Sequence, residues 1–103
     1  MENYVEVSND EFDVTGKDLK IVAFKAAWCG PCRVLSPILE ELAGNNKELI
    51  VAKVDVDSNP ELSAKYGIRN IPTTLFLRNG EIVDKVIGVK SLADLQNLVN
   101  VYS

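Results

Sequence analysis

The sequence predicts an α/β chain: a three-layer α/β/α sandwich around a mixed five-stranded sheet, with elements in the order βαβαβαββα. Three observations carry that expectation. Short segments rich in β-formers recur between segments whose apolar residues repeat at helical spacing. Strand–helix–strand units of this kind need parallel crossovers. Late in the chain, Asn79-Gly80 separates two β-rich segments, a hairpin signature that adds an antiparallel pair.

The elements follow in order. Tyr4–Val7 alternates and fits a short edge strand. Ser8 with Glu11 three residues on reads as a capping box, which predicts a short helix ending near Gly16. Leu19–Ala26 is mostly apolar, as in a strand covered on both faces. After the Cys pair, Val34, Leu35, Ile38, Leu39 and Leu42 form one apolar helical stripe, with Gly44-Asn45 as the stop and Pro37 as an internal kink. Leu49–Val56 is the third strand. Ser58 or Asn59 caps a helix with Pro60 in its first turn and Gly67 past its end. Thr73–Leu77 and Ile82–Ile87 are the hairpin strands. Ser91 and Asp94 open a last helix that buries Leu92, Leu95, Leu98, Val99 and Tyr102.

A length of 103 residues fits one domain over 1–103, with no repeat or linker. The apolar fraction of 47% and charged fraction of 25% are those of an ordinary globular protein. At this size the core buries roughly 60–70% of the unfolded chain's surface, so no staple is required. A formal net charge of -4 argues against nucleic-acid binding, which calls for a basic face. No apolar run approaches the ~20 residues needed to span a bilayer. The start, Met1-Glu2-Asn3-Tyr4, lacks the basic and apolar regions of a signal peptide. A cytoplasmic chain that needs no membrane is the expectation.

Chemistry concentrates at Cys29-Gly30-Pro31-Cys32, between a buried strand and a helix. Cys29 falls at or next to the helix N-cap, where unpaired N–H groups and the helix dipole favour a thiolate, the nucleophilic form of a cysteine. Cys32 returns to the same helical face one turn on. Pro31 suits the first turn, having no N–H to leave unsatisfied, and Gly30 presents no side chain to an approaching substrate. A purely structural disulfide is a weaker reading, since so small a loop removes only about 2 kcal/mol of chain entropy. Zinc needs four ligands, and the chain offers two thiols and no histidine. Two inert core cysteines at this spacing remain the third alternative.

Trp28-Cys29-Gly30-Pro31-Cys32, Lys53 within Val51–Asp55, Tyr66-Gly67-Ile68-Arg69, Ile71-Pro72-Thr73, Asn79-Gly80 and Gly88 together resemble the thioredoxin family, in the right order over nearly the whole chain. The resemblance implies a thioredoxin-like fold and a protein-disulfide reductase, with Cys29 attacking and Cys32 resolving. It implies a cis bond before Pro72, and a substrate-binding rim of Trp28, Gly30, Pro31, Ile71, Pro72, Gly88 and Val89. It further implies no bound cofactor or metal, disulfide-containing protein substrates, and a monomer recharged from NADPH through thioredoxin reductase. Glutaredoxin-like use of glutathione fits less well, because the Pro-Tyr dipeptide of that family is absent.

The sequence departs from the family at two places. Ala23 stands where thioredoxins carry a buried Asp thought to take the proton of the resolving thiol, and Lys25 stands where they carry tryptophan. The expectation is slower resolution of mixed disulfides. Lys53 loses its usual counter-charge and turns to solvent or a nearby acid, while Lys25 and Arg33 are candidates to favour the Cys29 thiolate electrostatically. Two other functions compete: a docking or chaperone-like subunit with incidental redox chemistry, and a dedicated reductase whose selectivity lies in Lys25 and Asn70.

Overall fold

The computed structural model describes residues 2–103. Its centre is the strand β2, Lys20–Lys25, whose residues Ile21, Val22, Ala23 and Phe24 are all buried. A strand can carry four such residues in a row only if both sheet faces are covered. The other elements are β1 (Tyr4–Glu6), α1 (Gly30–Asn45), β3 (Ile50–Asp55), α2 (Pro60–Lys65), β4 (Thr73–Arg78), β5 (Glu81–Ile87) and α3 (Leu92–Tyr102). The sheet runs β1-β3-β2-β4-β5, parallel on the β1 side of β2 and antiparallel from β2 to β5.

Alternation along the strands divides the core into two layers. Ile21, Ala23, Val51, Phe76 and Val86 face α1 and α3, meeting Leu35, Leu39, Leu42, Leu95 and Val99. Val22, Phe24, Ala52, Val54, Leu75 and Leu77 face the other way, against Leu62 of α2 and the flanking Phe12, Tyr66 and Ile68. The three layers and the mixed sheet are those read from the sequence. The hairpin is also as expected: Asn79 and Gly80 both take positive φ, 54° and 76°, which Asn and Gly tolerate at the two centre positions of a tight hairpin.

The first predicted helix is absent. Ser8 and Glu11 instead pair as an isolated bridge, with the Glu11 N–H donating to the Ser8 carbonyl at 3.1 Å. Between them Asn9 and Asp10 both adopt φ of 57°, a left-handed conformation that these two side chains tolerate and a helix does not. The element order is therefore ββαβαββα. Asp10 finds its role at a distance: its carboxylate accepts the N–H of Leu62, and its own N–H donates to Asn59 Oδ1, both at 2.9 Å. Asn59 sits at the N-cap position of α2 but makes no side-chain cap bond. Asp10 supplies it instead.

Helix α1 corrects one further expectation. Val34 is exposed, not part of the buried stripe, because it lies about 100° around the helix from Leu35. The stripe is Cys32, Leu35, Leu39, Leu42 and Ala43, with Ile38 half-buried. The helix contains Pro37 and ends at Asn45, at the Gly44-Asn45 stop read from the sequence. Its end is closed by partners from outside it. Buried Asn3 donates through Nδ2 to the carbonyls of Ala43, Asn46 and Leu49 at 2.8, 3.0 and 2.9 Å. Asn46 Nδ2 donates to the Leu42 carbonyl at 2.8 Å. Helix α3 starts on Ser91, whose hydroxyl accepts the Asp94 N–H as read from the sequence.

Two predictions follow from these contacts. Asn3→Ala leaves three carbonyls without this donor and lowers unfolding free energy by about 2 kcal/mol, read as a lower urea midpoint at unchanged slope; an unchanged midpoint contradicts the capping role. The three tyrosines should also titrate late. Burial raises Tyr4, helped by the charges of Glu40 and Glu6; burial raises Tyr66; and the hydrogen bond to Asp84, with burial and the Asp84 charge, raises Tyr102. Because the folded values lie above the unfolded one, their stabilisation is complete below about pH 10 and is lost as pH rises through the folded values. Tyrosinate absorbance of the folded chain should therefore rise at higher pH than that of the urea-unfolded chain; coincident curves contradict this.

Candidate active site

Strand β2 ends at Lys25, and the chain turns through Ala26, Ala27 and Trp28 into α1. The turn is closed by the Cys29 N–H donating to the Ala26 carbonyl at 3.2 Å. Cys29 is the N-cap of α1, with extended φ of −93° and ψ of 111°. Its Sγ accepts the N–H of Cys32 at 3.2 Å, so the sulfur occupies the place that a Ser or Asp oxygen takes in an ordinary cap. A disulfide joins Cys29 to Cys32, with Cα atoms 5.4 Å apart. Both residues are buried and pack with Ala26, Val56 and Ile71.

The segment before β4 closes the other side. The Ile71–Pro72 bond is cis, as the resemblance implies, and the Pro72 carbonyl accepts the N–H of Gly88 at 2.9 Å. Gly88 has a φ of 91°, where a side chain would be strained. Ile71 is half-buried and Val89, next to Gly88, is exposed. Gly30 and Pro31 are exposed at the mouth of the site, and a Cβ added at Gly30 meets nothing within 4 Å. Trp28 is 69% exposed, yet fixed: its Nε1–H donates to Asp57 Oδ2 at 2.9 Å. Asp57 went unnoticed in the sequence, where only its place after a strand end hinted at a role.

The three basic residues singled out from the sequence are engaged elsewhere. Arg33 donates to the Ala27 carbonyl at 2.9 Å. Lys25 and Lys53 each lie 3.5 Å from a different oxygen of Glu6, and Lys53 also sits 4.2 Å over the Tyr4 ring. Lys53 has thus turned to a nearby acid. Glu6, Lys53, Ala23, Thr74 and Val86 are successive cross-strand partners and form one row across all five strands. Cross-strand partners share a face, and Ala23 and Val86 fix this one as the α1/α3 face. Ala23 is 3% exposed and Thr74 1%. Thr74 was not singled out from the sequence, and its hydroxyl is buried without a hydrogen-bond partner.

The surface cavities lined by Leu19, Arg78 and Val99 and by Asn3, Gly44 and Lys47 lie away from the sulfurs. Among the described residues, no three His, Cys, Asp or Glu side chains come together to hold a metal ion. No helix among them is long and apolar enough to cross a membrane.

Comparison with known proteins agrees with this geometry. The family model described as Thioredoxin matches residues 3–101. The chain is 44% identical over 89 residues to "Thioredoxin 2" of Chlorobaculum tepidum, covering 82% of each. It is 41% identical over 98 residues to "Thioredoxin" of Staphylococcus epidermidis and, separately, of Bacillus subtilis, covering 93% of this chain and 94% of each relative. A match of this extent, around a Cys29–Cys32 disulfide at a strand–helix junction, makes the chain a thiol–disulfide oxidoreductase that belongs to the thioredoxin family.

Proposed function

We propose that Cys29 is the attacking sulfur and Cys32 the resolving sulfur of a reductase of protein disulfides. The observation that carries this assignment is the bond from the Cys32 N–H to Cys29 Sγ at the start of α1. A sulfur in that position gains from a backbone donor and from the positive end of the helix dipole as it becomes a thiolate. In the first step the Cys29 thiolate attacks one sulfur of a substrate disulfide, and the other sulfur leaves as a thiolate. In the second, the Cys32 thiolate attacks Cys29 Sγ, the bond to the substrate breaks, and the substrate's remaining sulfur departs with the electron pair. The substrate gains two electrons and the pair becomes the disulfide.

The rim residues suit this task. Trp28, held by Asp57, with Gly30, Pro31, Ile71, Gly88 and Val89, offers an open, largely apolar surface to an extended segment that carries the target disulfide, while Pro72, also expected on the rim, is buried beneath it. Recharging requires two electrons per turnover, and we assign them to NADPH through a thioredoxin reductase. The net charge of -4 fits protein partners and not nucleic acid. A monomer in the cytoplasm completes the reading.

Reduction of insulin disulfides, followed by turbidity with dithiothreitol or with NADPH and a thioredoxin reductase, tests it. The native chain should turn over and Cys29→Ser should abolish turnover. Cys32→Ser should instead trap the substrate as a mixed disulfide, visible on a non-reducing gel. Turnover by Cys29→Ser contradicts the assignment, and no turnover by the native chain favours a docking subunit.

A second prediction concerns Ala23, which stands next to Lys53 in the sheet row. Ala23→Asp brings a carboxylate to that row, where Lys53 can pair with it and the resolving thiol gains a proton acceptor. Stopped-flow measurement should show resolution faster than native by about tenfold or more. An unchanged or slower step sinks the idea that a missing base limits this enzyme.

A further inference from the structure

The hydroxyl of Thr74 is an anomaly of the core. It is fully shielded from solvent and has no hydrogen-bond partner. A buried hydroxyl left unpaired costs about 1–3 kcal/mol, and Val, of nearly the same shape, would avoid that cost. Its row neighbours on either side, Ala23 and Val86, are apolar. A group retained at a cost in one state of the molecule calls for a state in which it is paired.

The fold points to the partner. The disulfide packs against Ala26 at the end of β2 and against Ile71 just before β4. Ala23 lies three residues before Ala26, and Thr74 three residues after Ile71, and the two are cross-strand partners. Their row therefore lies a few residues back along the strands from those that touch the disulfide, on the face covered by α1. Cys32 heads the inward stripe of α1, ahead of Leu35 and Leu39, which pack in the same cluster as Ala23. The charged groups at this end, Lys25, Lys53 and Glu6, are committed to one another. What changes here with redox state is the sulfur. In the disulfide Cys32 Sγ is tied to Cys29 and takes no hydrogen bond from Thr74; on opening it is free to turn and becomes a thiol or thiolate, and a thiolate is a strong acceptor.

We propose that Thr74 is the hydrogen-bond donor to the Cys32 sulfur in the reduced protein and in the mixed disulfide. The inference rests on the reductase reading and assigns its resolving step a further residue. During resolution the Cys32 thiol gives its proton to water, and the Thr74 hydroxyl donates to the thiolate while keeping its own proton. The thiolate attacks Cys29 Sγ, the bond to the substrate sulfur breaks, and the departing thiolate takes a proton from water. The hydroxyl thus stabilises the open state and is orphaned in the closed one. Both effects favour the dithiol, so the residue makes the pair a weaker reductant and its resolving thiol a better nucleophile at neutral pH.

The test equilibrates native protein, Thr74→Val, Thr74→Ser and Tyr66→Phe with dithiothreitol mixtures of known ratio. Tyr66 carries the other orphaned hydroxyl, on the opposite sheet face. Thr74→Val should shift the equilibrium toward the disulfide by about tenfold, a potential lower by about 30 mV. Thr74→Ser should stay near native, and Tyr66→Phe should leave the potential unchanged. Single-turnover resolution should slow in Thr74→Val and recover in Thr74→Ser. A native potential in Thr74→Val overturns the proposal, as does an equal shift in Thr74→Ser. Thr74→Ala, which also lacks the donor, replaces Val if that variant fails to fold. The equilibrium needs no partner protein, so it reports on Thr74 even if insulin turnover fails and the reductase reading falls.

Discussion

The closing of the first turn of α1 on a sulfur is the constraint from which the rest of the site is built. Cys29 has to be extended and Cys32 helical for the Cys32 N–H to reach Cys29 Sγ. That fixes where β2 must stop, since the turn from Ala26 back to Cys29 is closed by a single backbone bond. It also fixes the face of α1 that turns inward, because Cys32 begins the stripe continued by Leu35, Leu39 and Leu42. The helix is held in that rotation by apolar packing, and the sulfur chemistry is carried along with it. Reactivity here is a by-product of where the hydrophobic stripe puts the helix start.

The row across the sheet explains how the chain dispenses with a buried carboxylate. An Asp at position 23 would lie at the centre of the sheet, where its charge needs a partner to offset desolvation. With Ala23 in that place the charges have migrated outward along the same row: Lys53 pairs with Glu6 on the edge strand β1, and Lys25 joins from two residues further along β2. Exposed pairs of this kind contribute little to stability. Two ammonium groups share one carboxylate, so both are drawn to the edge of the row and one positive charge remains there. The centre of the row is left with a methyl group and a hydroxyl, so no charge stands at positions 23 and 74.

What was legible in the sequence was local. Asn79-Gly80 forms its hairpin because both residues accept positive φ, and Ser91 caps α3 through a donor three residues away. The cysteine pair was legible for the same reason, since its chemistry depends on one helical turn. Ser8 and Glu11 misled because the spacing of a capping box is also the spacing of a two-residue turn. The arbiter was Asn59, which lies 49 residues from Asp10 and is fully buried. Val34 misled because adjacent apolar residues on a helix point 100° apart and only one of the pair faces the core. Thr74 carried no sequence signal, and Asp57 only its place after a strand end. A threonine in a strand is ordinary, and its missing partner is visible only once five strands are laid side by side.

A reversible disulfide also needs a fold that is indifferent to whether it is closed. The loop between Cys29 and Cys32 is so short that closing it removes only about 2 kcal/mol of chain entropy from the unfolded state. The α1/α3 layer holds the chain without leaning on that bond: of the residues that cover the sulfurs, Ala26, Val56 and Ile71, none belongs to it, and Val56 and Ile71 pack against the opposite layer. Opening the disulfide therefore leaves the packing of α1 against β2 in place. The energy that changes with redox state is confined to a few polar contacts at the start of one helix, small enough for one hydrogen bond to shift the balance, and that is what makes a chain of this size a carrier of electrons and not merely a stapled domain.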